Sequence, residues 1–416
     1  MTRDLPPASR WPPGGDDLPA AADVVVIGAG LVGACCARSL AAAGRSVCVV
    51  DRGGPVSGTT AGGEGNILVS DKLPGPELGL ALRSLALWAG LAADSGDRFE
   101  FEAKGGVVVA GDEAQLAALG ELAGRQRAAG VRAEPLDPAG LAAAEPRISP
   151  ALAGGVRYPQ DCQVQPMLAA AWQLTEARRL GATLAWGAEV LAPVTGDGGR
   201  LTGVRTSRGQ VAVGAVVNAA GPWSGLTAQC LGAGLPVRPR RGHILVTEPL
   251  PPLIRHKVYE ADYVGTVTSE AEDVQCSPVI EGTRSGTVLI GSSREFAGFD
   301  QRLSLGVLAA MARRAAVLFP FLAGVRVIRG YAGFRPASPD HLPLIGPDPA
   351  VGGLYHATGH EGAGIGLAPA TAELVTALLT GQPPAVDPAP FAPSRLAAAA
   401  SPGAGGGGGE AGEVPG

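Results

Sequence analysis

Cysteine, histidine and aromatic residues are all scarce in this sequence. The 416 residues include six cysteines and five histidines, and only 4% are aromatic. No two cysteines form a C-x-x-C pair, and no group of Cys and His has the spacing of a zinc site. We therefore expect no metal site and no disulfide framework. The same scarcity is typical of a reduced, cytoplasmic protein.

Long apolar runs and an excess of basic charge are also missing. The best candidate for a membrane span, residues 305–325, is interrupted by Arg313 and Arg314. The N-terminus has no charged-then-apolar leader. Lys and Arg number 33 against 38 for Asp and Glu, which gives a formal net charge of −5. We expect no transmembrane segment, no signal peptide and no nucleic-acid partner.

Glycine, in contrast, is abundant, with 63 residues. Part of this excess lies at the chain ends, where residues 1–21 and 392–416 are rich in Gly, Pro and Ala. Such composition predicts a disordered lead-in and a disordered tail. The remaining glycines fall mainly in turns between apolar segments. The folded part of the chain is therefore predicted to run from about residue 23 to residue 391.

The strongest local motif is a glycine-rich turn between a strand and a helix. Gly28, Gly30 and Gly33 form G-x-G-x-x-G after the apolar run 23–28, and Asp51 ends the next apolar run, 23 positions after Gly28. In a βαβ unit such glycines let the backbone approach a pyrophosphate, and the acid accepts hydrogen bonds from a ribose. This context predicts dinucleotide binding rather than a coincidental turn. Arg52 is predicted either to contact the adenine side or to be solvated.

Three further turns rich in small residues favour FAD over NAD. The loop 57–66 contains hydroxyl and glycine residues suited to a pyrophosphate and a flavin edge, although a plain flexible loop is the alternative. In VVNAAGPWS, Ala220 and Gly221 follow a strand and could approach the adenosine end. The glycine-rich segment 359–369 leads into a helix whose N-terminal amides could stabilise negative charge on a flavin.

These motifs stand in the order found in one family. GAGLVG, SGTTAGGEGN, VVNAAGPWS, GFRPASPDHLPLIG and GHEGAGIGLAP together resemble the D-amino-acid oxidase superfamily of flavoproteins. The resemblance is strongest to the branch that holds glycine and sarcosine oxidases and the flavin subunits of bacterial amino-acid, hydroxyproline and opine dehydrogenases. It covers approximately residues 23–381, which is nearly the whole predicted folded chain.

The resemblance implies an α/β fold with two interleaved domains. The first is a Rossmann-like FAD-binding domain of the glutathione-reductase type, and the second is an α+β substrate domain built on an antiparallel sheet. The implied FAD-binding domain comprises residues 22–95, 150–232 and 333–381. The implied substrate domain comprises residues 96–149 and 233–332.

The resemblance also assigns roles to individual residues. Arg335, in GFRP, matches the arginine that binds the substrate carboxylate, and a guanidinium suits this role because it donates two parallel hydrogen bonds. A structural ion pair is the alternative for Arg335. Apart from the motif glycines and Asp51, the implied cofactor contacts are Thr59, Thr60, Gly65, Asn66, Val190, Gly362, Ala363, Gly364 and Ile365.

Four other side chains are weaker candidates for the substrate site. Tyr259 and Tyr263 could supply a hydroxyl over the flavin, and packing is the alternative. His243 and His360 could touch the flavin or the substrate, or could be structural histidines with hydrogen-bond partners. No cysteine follows Cys276, so the covalent flavin link of sarcosine oxidases is not expected, and FAD is predicted to bind non-covalently.

The implied activity is FAD-dependent oxidation of the C–N bond of an α-amino acid or an N-substituted amino acid. Hydride passes to flavin N5, and the resulting imine hydrolyses to a keto acid, with no side chain required as a general base. The electron acceptor is O₂ or a partner subunit, in a homo- or hetero-oligomer. The alternatives are a flavin subunit with little activity alone, an NAD-dependent reductase and a non-catalytic FAD-containing scaffold.

Overall fold

The structure, a computed structural model, describes residues 14–262 and 274–399. Its strands are β1 (Ala21–Ile27), β2 (Val47–Asp51), β3 (Asn66–Ile67), β4 (Gly106–Ala110), β5 (Glu134–Leu136), β6 (Gly154–Tyr158), β7 (Cys162–Gln163), β8 (Thr183–Trp186), β9 (Val190–Thr195), β10 (Leu201–Thr206), β11 (Gly209–Asn218), β12 (Arg238–Thr247), β13 (Lys257–Glu260), β14 (Gln275–Gly282), β15 (Val288–Arg294), β16 (Val327–Ala337), β17 (Leu344–Pro347) and β18 (Leu354–Thr358). Its α-helices are α1 (Leu31–Ala42), α2 (Pro76–Ser95), α3 (Glu113–Ala128), α4 (Pro138–Ala144), α5 (Pro166–Arg179), α6 (Ser224–Cys230), α7 (Leu305–Leu318), α8 (Gly364–Thr380) and α9 (Ser394–Ala399).

The first large sheet is mainly parallel. Its strand order is β17-β18-β11-β1-β2-β8, and β10 and β9 extend it from β11. The strand β1 is parallel to both of its neighbours, β11 and β2. Its alternate residues enter two different cores, with Val24 and Val26 on one face and Val25 and Ile27 on the other. Burial on both faces explains why this strand is a continuous apolar run.

The second large sheet has the order β16-β12-β15-β14-β13-β4-β6-β5. Its strand pairs are antiparallel except for β13 and β4. One face packs on the apolar side of α7, where Met311 and Ala315 are buried. None of the helices in the described part of the chain has the length and apolar character that crossing a membrane requires.

The sheets differ in detail from the predicted segments. The strand β6 lies in the second sheet, although the predicted FAD-binding segment begins at residue 150. The predicted boundary at residue 333 falls inside β16, a single strand that runs from Val327 to Ala337. The division of the chain into two domains remains a prediction.

Both predicted disordered ends contain ordered residues. Asp16 donates its amide to the Leu184 carbonyl at 2.7 Å and accepts the Leu184 amide at 3.0 Å. Near the other end, Arg395 donates to both carboxylate oxygens of Asp340 at 2.7 and 2.9 Å. Composition missed these residues because their order comes from pairing with the free edge of β8 and with a distant loop.

A buried carboxylate holds several of these elements together. Asp161, in the turn between β6 and β7, accepts the Val69 amide at 2.8 Å and the Ser70 hydroxyl. The Ser70 hydroxyl in turn accepts a hydrogen bond from Tyr259 at 2.5 Å. A Cβ at Gly106 would lie 2.3 Å from the carboxylate, so this position must be glycine. Burial raises the pKa of Asp161 to about 7, although the hydrogen bonds from Ser70 and Val69 oppose the shift.

We predict that Asp161 makes stability depend on pH. The folded protein keeps the proton of this carboxyl up to about pH 7, whereas an unfolded aspartate loses it near pH 3.9. The free energy of unfolding therefore falls as pH rises through this window. Between pH 5 and pH 7, the free energy of unfolding of Asp161→Asn should fall by about 1–2 kcal/mol less than that of wild type. Urea unfolding of both proteins at pH 5 and at pH 7 measures this difference. An equal fall in the two proteins would contradict the prediction.

Candidate functional site

A cavity of about 650 Å³ lies at the carboxyl ends of β1 and β2 and extends to β12 and β16 of the second sheet. It is lined by most of the residues that the sequence nominates. These are Gly28, Gly30, Asp51, Arg52, Thr59, Thr60, Asn66, Val190, Ala220, Gly221, Arg335, His360, Gly362, Gly364 and Ile365. Six separate segments of the sequence therefore meet around one space.

The glycine-rich turn directs the start of α1 at the cavity. Gly28 has a φ of +109°, and a Cβ there would lie 2.4 Å from the Ala219 carbonyl oxygen. Gly33 lies beneath the turn, where a Cβ would come within 2.0 Å of the Gly28 oxygen. Gly33 thus permits the turn without lining the cavity. Amides in the first turn of a helix have no partner within the helix, so α1 offers N–H donors at this wall.

Asp51 fixes the same turn from the next strand. Its Oδ2 accepts the Ala29 amide at 2.8 Å, and its Oδ1 accepts the Gly53 amide at 2.8 Å. The neighbouring Arg52 places its guanidinium carbon 4.6 Å from the centre of the Trp223 ring. Arg52 therefore stacks on an aromatic side chain at the cavity wall, although the sequence left a solvated position open.

The loop 57–66 is held by tertiary contacts. Thr59 donates its hydroxyl to the Phe334 carbonyl at 2.6 Å, and Thr60 accepts the Leu31 amide at 3.0 Å. A Cβ at Gly62 would lie 2.9 Å from Gly333 Cα. These contacts with β16 and α1 argue against a plain flexible loop. Gly65 does not line the cavity, and a Cβ there would lie 1.8 Å from the Val164 oxygen.

Arg335 lies between β12, β15 and the turn that precedes α8. Its Nη1 donates to the Ser293 carbonyl at 2.8 Å. A Cβ at Gly242 would lie 2.2 Å from Nη1, and a Cβ at Gly362 would lie 3.5 Å from Nε. The two glycines thus leave room for the guanidinium, which reaches the cavity beside the start of α8.

The start of α8 is a second helix N-terminus at the cavity. The first bond of this helix runs from the Leu367 amide to the Ala363 carbonyl at 2.9 Å. The amides of Gly364 and Ile365 precede this bond, and both residues line the cavity. Ala363 is the N-cap residue and does not itself line the cavity.

His243 and Tyr259 lie outside the set of cavity-lining residues, which corrects their prediction as catalytic. In β12, Gly242 and Ile244 line the cavity, so the residue between them points to the other face. His243 instead contacts the Ser293 hydroxyl through Nδ1 at 2.9 Å. Tyr259 is fully buried in β13 and donates to Ser70. Both match the structural alternatives that the sequence left open, and Tyr263 lies outside the described residues.

His360 lines the cavity but is a buried histidine with a hydrogen-bond partner. Its Nε2 lies 2.9 Å from the Thr371 hydroxyl. Burial lowers the pKa of His360 to about 3. The ring is therefore neutral at physiological pH, and it can add shape to the site but no positive charge.

Glu64 is a site residue that the sequence analysis did not nominate. It lines the cavity, although only 8% of its surface is exposed. Its Oε2 accepts the Asn66 side-chain amide at 3.3 Å. Burial raises the pKa of Glu64, while the nearby Lys257 and Arg335 act in the opposite direction. The sequence feature that could have identified Glu64 is its position as a single acidic residue between two glycines, in a loop assigned to the cofactor.

The donor set fits a dinucleotide flavin. One continuous cavity is lined by two helix N-termini, by the glycines Gly28 and Gly221, and by the Asp51 carboxylate. Amide donors suit phosphate and flavin oxygens, and a carboxylate suits ribose hydroxyls. In the described part of the chain, no cluster of three or more His, Cys, Asp or Glu side chains could hold a metal ion.

Known proteins similar to this chain include two glycine oxidases. One, from Pseudomonas aeruginosa, is 32% identical over 381 residues, which cover 89% of this chain and 98% of that protein. Another, from Pseudomonas putida, is 39% identical over 195 residues, or 47% of this chain and 49% of that protein. The hydrogen cyanide synthase subunit HcnC of P. aeruginosa is 30% identical over 416 aligned positions, covering 90% and 96% of the two chains.

Solved structures and a family comparison agree with these similarities. The crystal structure of glycine oxidase from Geobacillus kaustophilus superposes with a TM-score of 0.82 at 28% identity, covering 91% of this chain and 99% of that one. This similarity confirms the predicted mixed α/β fold class. The model of the family described as DAO, FAD dependent oxidoreductase, matches residues 23–378. The predicted cofactor, FAD, is thereby confirmed, and the chain belongs to the DAO family of FAD-dependent oxidoreductases.

Proposed function

We propose that the protein oxidises the C–N bond of an α-amino acid or N-substituted amino acid, giving an imine that hydrolyses to a keto acid. The observation that carries this proposal is the position of Arg335. Its guanidinium reaches the cavity next to Gly362, in the turn that begins α8. A carboxylate-binding group thus stands beside the turn expected to face the flavin. The glycine oxidase relatives favour a small amino acid such as glycine.

Residues at one end of the cavity are suited to hold FAD. The α1 amides would bind the pyrophosphate, Asp51 the ribose, and the backbone near Val190 the adenine. At the other end, the amides of Gly364 and Ile365 would lie at the flavin's pyrimidine edge, where the α8 dipole stabilises negative charge. When bound, FAD supplies the acceptor for the two electrons of the oxidation.

Arg335 would orient the substrate through its carboxylate. The planar guanidinium donates paired N–H groups that match the two oxygens of a carboxylate. Its hydrogen bond to the Ser293 carbonyl fixes the plane of the guanidinium. With the carboxylate held there, the adjacent Cα and amine have one defined orientation in the cavity. Positioning of this kind is a large source of rate acceleration when the cofactor supplies the chemistry.

We further propose O₂ as the electron acceptor, because two of the similar proteins are glycine oxidases. We also propose a cytoplasmic location, which the scarcity of cysteine in the sequence favours. A flavin subunit of a larger dehydrogenase is the second candidate function, favoured by the similarity to the HcnC subunit over 90% of this chain. Measuring oxygen uptake after glycine is added to the protein purified alone distinguishes the two candidates, because only an oxidase that works alone would consume oxygen. Bleaching of the flavin by glycine without oxygen uptake would support the second candidate.

Replacing Arg335 tests the substrate assignment. Arg335→Ala should raise the dissociation constant for glycine about a hundredfold, or about 3 kcal/mol, because charged hydrogen bonds are lost. Arg335→Lys should have an intermediate effect, since the charge remains but the fork is lost. Anaerobic bleaching of the flavin at varied glycine concentration measures both. Arg329→Ala, an exposed change on the same strand, is the matched control, and an equal effect in this control would reject the assignment.

Replacing Asp51 tests the cofactor assignment separately. Asp51→Asn should weaken FAD binding on the order of tenfold, because the carboxylate is the stronger acceptor for ribose hydroxyls and backbone amides. Titration of the apoprotein with FAD, followed by flavin fluorescence, gives the dissociation constant. Asp23→Asn is the control because Asp23 accepts the Ser46 amide at the opposite end of the same βαβ unit. Unchanged FAD affinity in Asp51→Asn would be inconsistent with the assigned role.

A further inference from the structure

Glu361 is an acidic residue in the turn before α8, and it has no role in the proposed function. Its neighbours in this turn include Gly359, Gly362 and Gly364. Glu361 has a φ of +49°, which lies in the left-handed region that glycine adopts more readily than a residue with a Cβ. On backbone grounds alone, glycine would therefore suit this position better. A glutamate here requires a side-chain contact that offsets the backbone strain.

The Glu361 side chain reaches Arg240 on β12. Nη1 of Arg240 lies 3.3 Å from each carboxylate oxygen of Glu361. The Arg240 side chain is fully buried, and only 4% of the Glu361 side chain is exposed. Nη2 of Arg240 lies 3.5 Å from Gln275 Oε1, and its Cζ lies 5.2 Å from the centre of the Phe296 ring. The turn before α8 is therefore joined to the second sheet by a buried ion pair, and such a pair is costly to break from one side.

The groups around Glu361 keep its carboxyl ionised. Nδ1 of His341, in the loop after β16, lies 3.4 Å from Glu361 Oε1. Burial acts to raise the pKa of Glu361, but the contact with His341 and the charges of Arg240 and Arg294 outweigh it and lower the pKa. The contact with Arg240 is therefore one between two full charges at physiological pH.

The strand register places Arg240 beside Arg335. Arg240 on β12 and Arg335 on β16 are directly opposite each other in an antiparallel pair, so their side chains lie on the same face of the sheet. Like charges in this arrangement repel each other, and the Glu361 carboxylate reduces the repulsion. The next residue, Gly362, lies beside Arg335, since a Cβ there would lie 3.5 Å from Arg335 Nε. One short turn therefore contacts both arginines.

Backbone contacts attach the same turn to β16. The Glu361 amide donates to the Pro336 carbonyl at 3.0 Å, and His360 forms an isolated bridge with Ala337. The turn is thus held to β16 by its backbone and to β12 by the Glu361 side chain. Because α8 begins at Gly364, the placement of this turn sets the direction in which the first amides of the helix point.

We propose that Glu361 is a positioning residue, whose ion pair with Arg240 fixes the turn before α8 against β12. The turn then presents the first amides of α8 to the flavin and holds Gly362 beside Arg335. This inference rests on the proposed function, which places the flavin's pyrimidine edge at the start of α8. Amides directed at that edge stabilise negative charge on the reduced flavin, so they raise the reduction potential of FAD.

The experiment measures the reduction potential of the bound FAD, which requires no substrate. The FAD-loaded protein is reduced slowly beside a reference dye of known potential, and absorbance gives the reduced fraction of each. Wild type is compared with Glu361→Asp, Glu361→Gln, Arg240→Met and the double variant Arg240→Met/Glu361→Gln. Aspartate keeps the charge and tolerates left-handed backbone, but it is one methylene shorter and does not reach Arg240 as glutamate does.

Glu260→Asp is the matched control. Glu260 lies on β13, where it forms an ion pair with Arg314, and it is not among the residues that line the cavity. The same shortening of an ion-paired glutamate is therefore made away from the flavin, and the reduction potential should stay unchanged.

Glu361→Asp should shift the equilibrium between oxidised and reduced FAD about tenfold toward the oxidised form, which lowers the two-electron potential by about 30 mV. Glu361→Gln and Arg240→Met should also lower the potential. The double variant should show no larger shift than the larger single shift, because both substitutions break the same contact. A contact that only stabilises the fold would change the free energy of unfolding and leave the potential of the bound FAD unchanged.

A direct effect of charge gives a different pattern. Loss of a negative charge near the flavin favours its reduction, so Glu361→Gln would raise the potential and Arg240→Met would lower it. Glu361→Asp would leave the potential unchanged. This pattern, or a wild-type potential in every variant, overturns the assignment of Glu361. Glu361→Asp is the mildest of these changes, and it decides alone if the other variants do not retain FAD.

The failure of this inference is distinguishable from the failure of the proposed function. If glycine and other amino acids do not bleach the wild-type flavin, the proposed function is wrong. The potentials still test Glu361 in that case, because the reductant replaces the substrate. If amino acids bleach the flavin but Glu361→Asp keeps the wild-type potential, only the assignment of Glu361 is overturned.

Discussion

The backbone contact between Gly62 and Gly333 is the constraint on which the site depends. A Cβ on Gly333 would lie 2.3 Å from the Gly62 oxygen. Neither of the two crossing segments can therefore carry a side chain at this point. Through this contact, the loop from the first sheet meets β16 of the second. Thr59 and Glu64 lie on the loop and Arg335 lies on β16, so the crossing holds cavity-lining residues of the two segments at a fixed separation.

The cofactor end of the site could be predicted because its signals are local in sequence. Gly28, Gly30 and Asp51 belong to one βαβ unit, and the geometry of that unit brings all three residues to the same edge of the sheet. The structure brings them together around the cavity as expected. Gly33 and Gly65 are different, because their glycine hydrogens face protein backbone rather than the cavity. Sequence alone does not distinguish a glycine that admits a ligand from one that admits another chain segment.

The substrate end was harder to predict because it depends on strand parity and long-range packing. His243 lies one residue from two cavity-lining positions, and this single step along β12 places it on the opposite face. The motif that contains Glu64 was recognised, but its burial follows from β15 and from the Lys257–Glu281 pair, far away in sequence. Composition likewise missed the pairing of Asp16 with β8, which requires knowledge of a free sheet edge.

The hydrogen bonds of Asp51 have a consequence for the energetics of cofactor capture. The carboxylate already ties the turn at Ala29 to the loop at Gly53 through protein contacts alone. The surface proposed to receive the adenosine is therefore shaped by the chain itself and does not have to be ordered by the ligand. Binding then loses little conformational entropy in the protein, and more of the contact energy remains as affinity.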